Sequence, residues 1–383
     1  MVILLAVACG IIVANIYYAQ PLVGLIGPAV GLGARSASLI VSLTQIGYAA
    51  GLLFLVPLGD LVENRRLVVL TIAASIPFLL LAGLATSGPV MLAAAVLIGV
   101  TSVAVQMLVP LAAHLAADHQ RGRVVGNVMS GLLFGILLAR PVASMIADVS
   151  SWRVVFFASA GVMAATALFL RATLPHRQPE AKHHYGALLA SLFALPVRLP
   201  LLRQRACFQA ACFAGFSLFW TGVPLLLAAK FHYTQRGIAI FALVGAAGAL
   251  AAPVAGRLAD RGHSGIGTTG ALLSVLLAFG MALVGGWGHS VVLLALAGVL
   301  LDAGVQSNLV FGQRAIYTLG ADMRSRLNGM FMAIFFAGGA AGSAATSPLL
   351  AHFGWDGICA LGGALPLLAL AYYAAASRRN LTA

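Results

Sequence analysis

The chain has 383 residues, of which 61% are hydrophobic and only 8% charged, with a formal net charge of +13. A soluble domain carries about 25% charged residues, so a surface this apolar excludes a water-soluble globular protein and calls for lipid as the solvent. The placement of the 22 Lys and Arg, rather than their number, argues against a nucleic-acid partner.

A bilayer core of about 30 Å takes about 20 apolar residues of helix. Taken in chain order, spans are predicted over 3–25, 38–58, 67–86, 89–111, 124–147 and 154–173. A polar stretch follows over 174–205, with Pro175, Pro179, Pro196 and Pro200. It reads as a cytoplasmic linker with room for a surface helix. Further spans are predicted over 207–229, 238–257, 266–286, 291–312, 327–350 and 356–376, twelve in all, before a tail over 377–383. Gly and Ala are abundant in the spans, which suits close helix packing in lipid. The lack of strict alternation excludes a transmembrane β-barrel.

Only Arg35, Arg153, Lys230 and Arg236 fall in the odd-numbered loops, and only Arg140 lies deep inside a span. The other Lys and Arg, Lys182 among them, fall in the even-numbered loops, the linker and the tail. This positive-inside asymmetry predicts both termini in the cytoplasm. Cys9, Cys207, Cys212 and Cys359 lie in or beside spans without a pairing pattern. They are expected as buried small hydrophobes, not metal ligands or disulfides. The first span lacks a basic flank and is too long for a cleaved signal peptide.

The sequence also repeats. A single shift lays Arg121-Gly-Arg-Val-Val-Gly126 on Arg324-Ser-Arg-Leu-Asn-Gly329, Met129 on Met332, Gly135 on Gly338 and Trp152 on Trp355. Residues 1–173 and 206–376 are therefore expected to form two six-span bundles joined by 174–205. Parallel repeats of this kind place a substrate site near the bilayer midplane.

The loop after span 2 reads Val56-Pro-Leu-Gly-Asp60-Leu-Val-Glu-Asn-Arg65-Arg66, and the loop after span 8 reads Gly256-Arg-Leu-Ala-Asp260-Arg261-Gly262. Both resemble the G-x-x-x-D-R-x-G-R-R signature of the major facilitator superfamily. Asn15-Ile-Tyr17-Tyr18-Ala-Gln20-Pro21-Leu in span 1 resembles permeases of that superfamily's bacterial drug and sugar efflux branch. In span 5, Gly131-x-x-x-Gly135 matches the family's antiporter motif, while Ala139-Arg140 stands where that motif has Gly-Pro. The resemblance covers the whole chain. It implies an all-α polytopic membrane protein with the major facilitator fold, twelve transmembrane helices in two pseudo-symmetric six-helix bundles, in the bacterial inner membrane. It also implies a cytoplasmic latch: Asp60 with Arg65 and Arg66, and Asp260 with Arg261, pairing carboxylates with arginines and helix ends. The plainer reading of these charges is a topogenic loop with weak surface ion pairs.

An ionisable group inside a span costs about 2.5–3.5 kcal/mol at the centre on insertion scales and is a functional candidate by default. Asp60, Glu63, Asp118, Asp148, Glu180, Asp260, Asp322 and Asp356 are placed in loops or at helix ends. Asp302 alone is deep, roughly 18 Å into span 10 at 1.5 Å per residue. Asp302 and Arg140 are the candidates for proton coupling, with a structural ion pair or helix bolt as the alternative for each. In the family, spans 1, 4, 7 and 10 line the cavity. Carried over, that gives Asn15, Tyr17, Tyr18, Gln20, Gln106, Trp220, Thr221, Gln306 and Asn308, joined by Gln45 from span 2. Each alone serves equally well as polar glue between helices. Pro21 frees backbone groups and permits a bend in span 1. Gly338-Gly-Ala-Ala-Gly342 predicts a close helix contact, and Phe335 and Phe336 predict packing.

No Walker lysine motif, HExxH or Gly-x-Ser-x-Gly is present. No catalytic residue, metal or cofactor is expected. The expected function is secondary active transport of a small drug-like or sugar-like solute by alternating access, as proton-coupled efflux. Its partners would be that solute, protons and membrane lipid, with the protein a monomer. Import or uniport of a nutrient is the alternative. A membrane-embedded enzyme would need polar residues clustered at one interface, and none is seen.

Overall fold

The structure, a computed structural model, describes residues 1–117, 120–179, 184–320 and 323–381. Asp118, Glu180, Lys182 and Asp322 lie outside this set, as do the last two residues of the tail. Among the described residues every regular element is a helix. Nine helical stretches among the described residues are long and apolar enough to cross a membrane, and Val2–Ala14, Tyr185–Arg198 and Gln235–Gly245 are shorter apolar helices.

The chain forms two compact units. One comprises Met1–Gly33, Leu39–Ala194 and Thr234–Ala239, and the other Ala34–Ser38, Leu195–Tyr233 and Ile240–Ala383. In the first, α1 (Val2–Ala14) packs on α7 (Arg121–Val149), α3 (Leu39–Phe54) on α5 (Gly88–Thr101), and α4 (Asn64–Leu84) on α8 (Trp152–Thr173). In the second, α10 (Pro200–Phe231) packs on α15 (Arg324–Leu381), and α13 (Ser264–Trp287) on α14 (Val291–Tyr317).

Small residues set these contacts. A Cβ on Gly131 would lie 2.2 Å from the Ala6 carbonyl oxygen, and one on Gly135 2.1 Å from that of Gly10. In the second unit a Cβ on Gly338 would lie 2.4 Å from the Ala210 oxygen, and one on Gly342 2.0 Å from that of Ala214. Both units thus use the same small-x-x-x-small face, and the close contact expected of Gly338 and Gly342 is present. By contact, Gly135 answers Gly342 rather than Gly338, one helical turn beyond the direct sequence alignment. Gly135→Ala is expected to lower the thermal midpoint in detergent, because overpacking costs about 1–3 kcal/mol. Gly126, on the same helix, has open space around it. Gly126→Ala is expected to leave the midpoint unchanged or raise it, since Ala gains up to about 1 kcal/mol over Gly in a helix. Equal midpoints for the two variants would refute the packing account.

Several predicted spans are interrupted, and the breaks follow the sequence. The first span is not one helix. After α1 the chain turns through Asn15–Ala19, passes a 3-10 turn at Gln20–Leu22 and resumes as α2 (Val23–Ala29). Pro21 has no N–H to donate and its ring excludes the preceding helical carbonyl, so the polar run Asn15–Gln20 sits on the break. The eighth span divides into α11 (Gln235–Gly245), a 3-10 stretch Ala246–Leu250 and α12 (Ala251–Asp260). The fourth divides into α5 and α6 (Ala104–Leu115). The last two spans run together in α15 but turn at Gly354, whose φ of 62° is a backbone conformation that glycine adopts without steric cost. Within the predicted linker a helix does form, α9 (Tyr185–Arg198), and α10 begins at Pro200, earlier than expected. The Tyr185 hydroxyl ties α9 to α3 by donating to the Phe54 carbonyl at 2.7 Å.

Candidate functional site

Each unit buries its own polar cluster among its apolar helices. In the first, the centre is Arg140 on α7, which is 4% exposed. Its Nε donates to Gln20 Oε1 at 2.9 Å, and its guanidinium carbon lies 5.5 Å from the centroid of the Tyr17 ring. A buried cation of this kind is stabilised by the amide oxygen and by the negative face of the aromatic ring. Both partners come from the broken stretch of the first span, so the bend at Pro21 delivers Tyr17 and Gln20 to Arg140. Gln45 is fully buried on α3. Gln106 on α6 donates from Nε2 to the Tyr48 hydroxyl at 3.1 Å. Tyr48 was not singled out in the sequence, although a tyrosine in an apolar span is itself a polar signal.

Asn15 turns toward α8 instead. Its Oδ1 accepts from the Ser159 hydroxyl at 2.5 Å, and its Nδ2 reaches Met163 Sδ at 3.4 Å. It therefore bonds helix to helix within the unit. Tyr18 lines a trough of about 560 Å³ between α1 and α7.

In the second unit Asp302 on α14 is 8% exposed and accepts from Trp220 Nε1 on α10 at 2.8 Å, Oδ1 being the acceptor. Phe219 and Phe241 set edges against the Trp220 indole at 5.4 and 6.1 Å between centroids. The eighth span closes over the pair where it narrows to a 3-10 stretch. A Cβ on Gly245 would lie 2.3 Å from the Trp220 ring, and one on Gly248 2.6 Å from Asp302 Cβ. Asp302, Trp220, Gly245 and Gly248 form one packed unit, of which the sequence pointed to the first two. Asn308, one and a half turns along α14, donates from Nδ2 to Gln209 Oε1 at 2.6 Å, and Gln209 Nε2 donates to the Val305 carbonyl at 3.3 Å. Gln209 was missed, though it is a lone amide in an apolar helix. Gln306 is half-buried, and Thr221 is buried with no hydrogen-bond partner for its hydroxyl among the described residues.

The loop charges are arranged differently from the signature. Asp60 is exposed at the end of a 3-10 turn. The engaged carboxylate is Glu63, which caps α4 and accepts from the backbone N–H of Arg65 at 2.9 Å, Arg66 at 2.7 Å and Arg177 at 3.2 Å. The Asn64 N–H donates to the Arg177 carbonyl at 3.0 Å, Arg177 Nη1 to Asn64 Oδ1 at 2.7 Å, and Arg65 Nη1 to the Leu174 carbonyl at 3.3 Å. These bonds staple the loop to the segment following α8. Glutamate is not among the usual N-cap residues, so the sequence did not single out Glu63 as the cap. In the second unit Asp260 pairs with Arg314. Both partners are about half exposed, so the pair contributes little. Arg66 and Arg261 have exposed side chains. Cys9, Cys212 and Cys359 are buried and unbridged, but Cys207 is exposed on the surface of α10, contrary to expectation.

Partial burial raises the Glu63 pKa, but the three backbone N–H donors and nearby His176 outweigh it and hold the carboxyl below the ordinary glutamate value. A depressed carboxyl contributes stability that is complete above its unfolded pKa and is lost as pH falls through the folded one. Limited proteolysis of the segment after α8 is therefore expected to be slow at neutral pH and to accelerate below about pH 4.5. Glu63→Gln is expected to be cut faster at neutral pH and to show less pH dependence. A wild-type rate that does not change with pH would rule out the staple.

The sequence matches the family described as Major Facilitator Superfamily over residues 3–315. It is 44% identical to the putative uncharacterized transporter YgaY of Escherichia coli strain K12, across 97% of this chain and 94% of that one. It is 36% identical to a probable transporter of Streptomyces coelicolor, across 94% of this chain and 84% of the other. Solved structures with the same fold include the nucleoside transporter NupG, at a TM-score of 0.77 with 13% identity, covering 98% of this chain and 99% of that one. A D-xylose–proton symporter aligns at a TM-score of 0.72 with 14% identity, covering 96% of each chain.

Proposed function

Because the chain belongs to the Major Facilitator Superfamily, and is thus a multi-pass membrane transporter rather than an enzyme, we propose that it exports a small organic solute across the bacterial cytoplasmic membrane in exchange for protons. The observation that carries this reading is Asp302, a carboxylate buried at membrane depth and held by the indole N–H of Trp220. An acid there is costly unless it is used. As alternating access wets and dries the site, the carboxyl exchanges its proton with one side of the membrane and then the other. Arg140, with Gln20 and Tyr17 around it, offers a cationic and aromatic surface for a hydroxylated or anionic part of the solute. Counting α15 as two spans at its Gly354 turn and adding the interrupted first and eighth spans to the nine long stretches supports a reading of twelve crossings. The distribution of Lys and Arg supports cytoplasmic termini. The protein works as a monomer.

The test uses everted membrane vesicles loaded with a pH-sensitive dye, with solutes first selected by thermal shift of the detergent-purified protein. Adding a selected solute to energised vesicles is expected to release protons from the lumen. Solute uptake without proton movement would exclude coupling. Proton and solute moving in the same direction would make the protein a symporter.

A further inference from the structure

The lower half of the eighth span, α12, and the ninth, α13, both pack on α14 but barely touch each other. Between them lies a trough of about 530 Å³. Its floor is α14, through Ala303, Gly304, Ser307 and Phe311; Val254 and Leu258 form one wall, and Ile266 and Gly270 the other. Its mouth is the α12–α13 loop, where Arg261 and His263 line the opening. Both side chains are exposed. The neighbouring carboxylate, Asp260, is engaged by Arg314 on α14. The mouth is therefore cationic and the interior apolar.

The dimensions fit one leaflet. The trough runs the length of α12, from Arg261 to Ala251, about 15 Å at 1.5 Å per residue. That is half of a bilayer core of about 30 Å. One end lies at the polar loop and the other at membrane depth, beside Ala303, the residue after Asp302.

We infer that this trough is a binding site for an acidic phospholipid, with one acyl chain lying along α14 and the phosphate at Arg261 and His263. The apolar walls remove the chain from competition with bulk lipid only weakly, because lipid on either side is equally apolar. Selectivity comes from the mouth, where a basic side chain near the membrane surface favours an anionic headgroup by about fivefold.

Native mass spectrometry of the full chain tests this, with the protein released from micelles containing equal amounts of an acidic and a zwitterionic phospholipid of identical acyl chains. The expected result is one retained lipid, predominantly acidic. Arg261→Gln, at an exposed position, is expected to reduce the acidic-to-zwitterionic ratio about fivefold. A Cβ on Gly270 would meet nothing within 4 Å, so Gly270→Phe starts from open space at the trough wall, and by occupying the trough it is expected to abolish retention of either lipid. Gly161 on α8 is equally open, and Gly161→Phe is expected to retain the lipid as wild type does. Absence of acidic preference in the wild type, or equal retention by Gly270→Phe and Gly161→Phe, would overturn the assignment. So would a preference unmoved by Arg261→Gln.

Discussion

Asp302→Asn is expected to reduce solute-dependent proton release in everted vesicles at least a hundredfold, to background, while the protein stays folded and still binds the solute. The geometry makes this a clean substitution. Asn keeps an oxygen at the Oδ1 position, so Trp220 Nε1–H, which donates at 2.8 Å, keeps its acceptor. The side chain is isosteric, so the close approach of Gly248 to Asp302 Cβ is undisturbed. What is lost is the proposed proton site. The thermal shift produced by the solute should persist, and so should downhill exchange of solute across the membrane. Trp220→Phe is the companion variant. It keeps an aromatic ring among Phe219 and Phe241 but removes the indole donor. A lost hydrogen bond to a charged group costs about 1.5–3 kcal/mol. Trp220→Phe should therefore slow transport about tenfold or more without changing the number of protons moved per solute. Proton release that survives Asp302→Asn would eliminate Asp302 as the coupling group, whatever its structural value.

The legible part of this protein was the part dictated by lipid. Long apolar helical spans are the consequence of satisfying backbone polar groups within hydrocarbon, and they are written in composition over tens of residues. The close contact of Gly338 and Gly342 was legible because small residues let two helix backbones approach in lipid, whereas Gly131 and Gly135 were read only as a match to the antiporter motif. Partners of single polar side chains were not legible. Asp302 and Trp220 were each identifiable as polar groups in apolar helices, but nothing in the chain says that α10 delivers one to the other. Asn15 shows the converse. It shares a motif with Tyr17 and Gln20, yet the broken turn points it to Ser159 on α8 while they surround Arg140. The capping role in the loop after the second span was missed for a different reason. The family signature drew attention to Asp60, whereas the helix-capping geometry engages Glu63. The breaks in the first and eighth spans divide in the same way: Pro21 announces one, while the run Ala246–Leu250 contains no proline and becomes intelligible only beside the Asp302–Trp220 pair it covers.

Arg140 is the second residue on which transport is expected to depend, and here the instructive variant is the conservative one. Arg140→Lys keeps a positive charge in the same place. It cannot keep the planar Nε–H that meets Gln20 Oε1 at 2.9 Å, nor present a flat delocalised cation to the Tyr17 ring. Lys also carries a more strongly hydrated ammonium, which is harder to hold in a buried site. If Arg140 only supplied charge, Lys would restore most of the function lost in Arg140→Ala. The guanidinium geometry argues otherwise. Under the proposed role the same guanidinium meets the solute, and losing a charge-assisted hydrogen bond to it, worth about 1.5–3 kcal/mol, corresponds to about 10–100-fold in solute affinity, so both Lys and Ala are expected to raise the solute KM by at least tenfold. Gln20→Ala removes the same bond from the other side. It is expected to reproduce the KM effect of Arg140→Lys, and the double variant should be little worse than either single change, because the two residues share one interaction. Additive losses in that cycle would separate Gln20 from Arg140. Full transport by Arg140→Ala would return Arg140 to the role of a bolt between α7 and the bend in the first span.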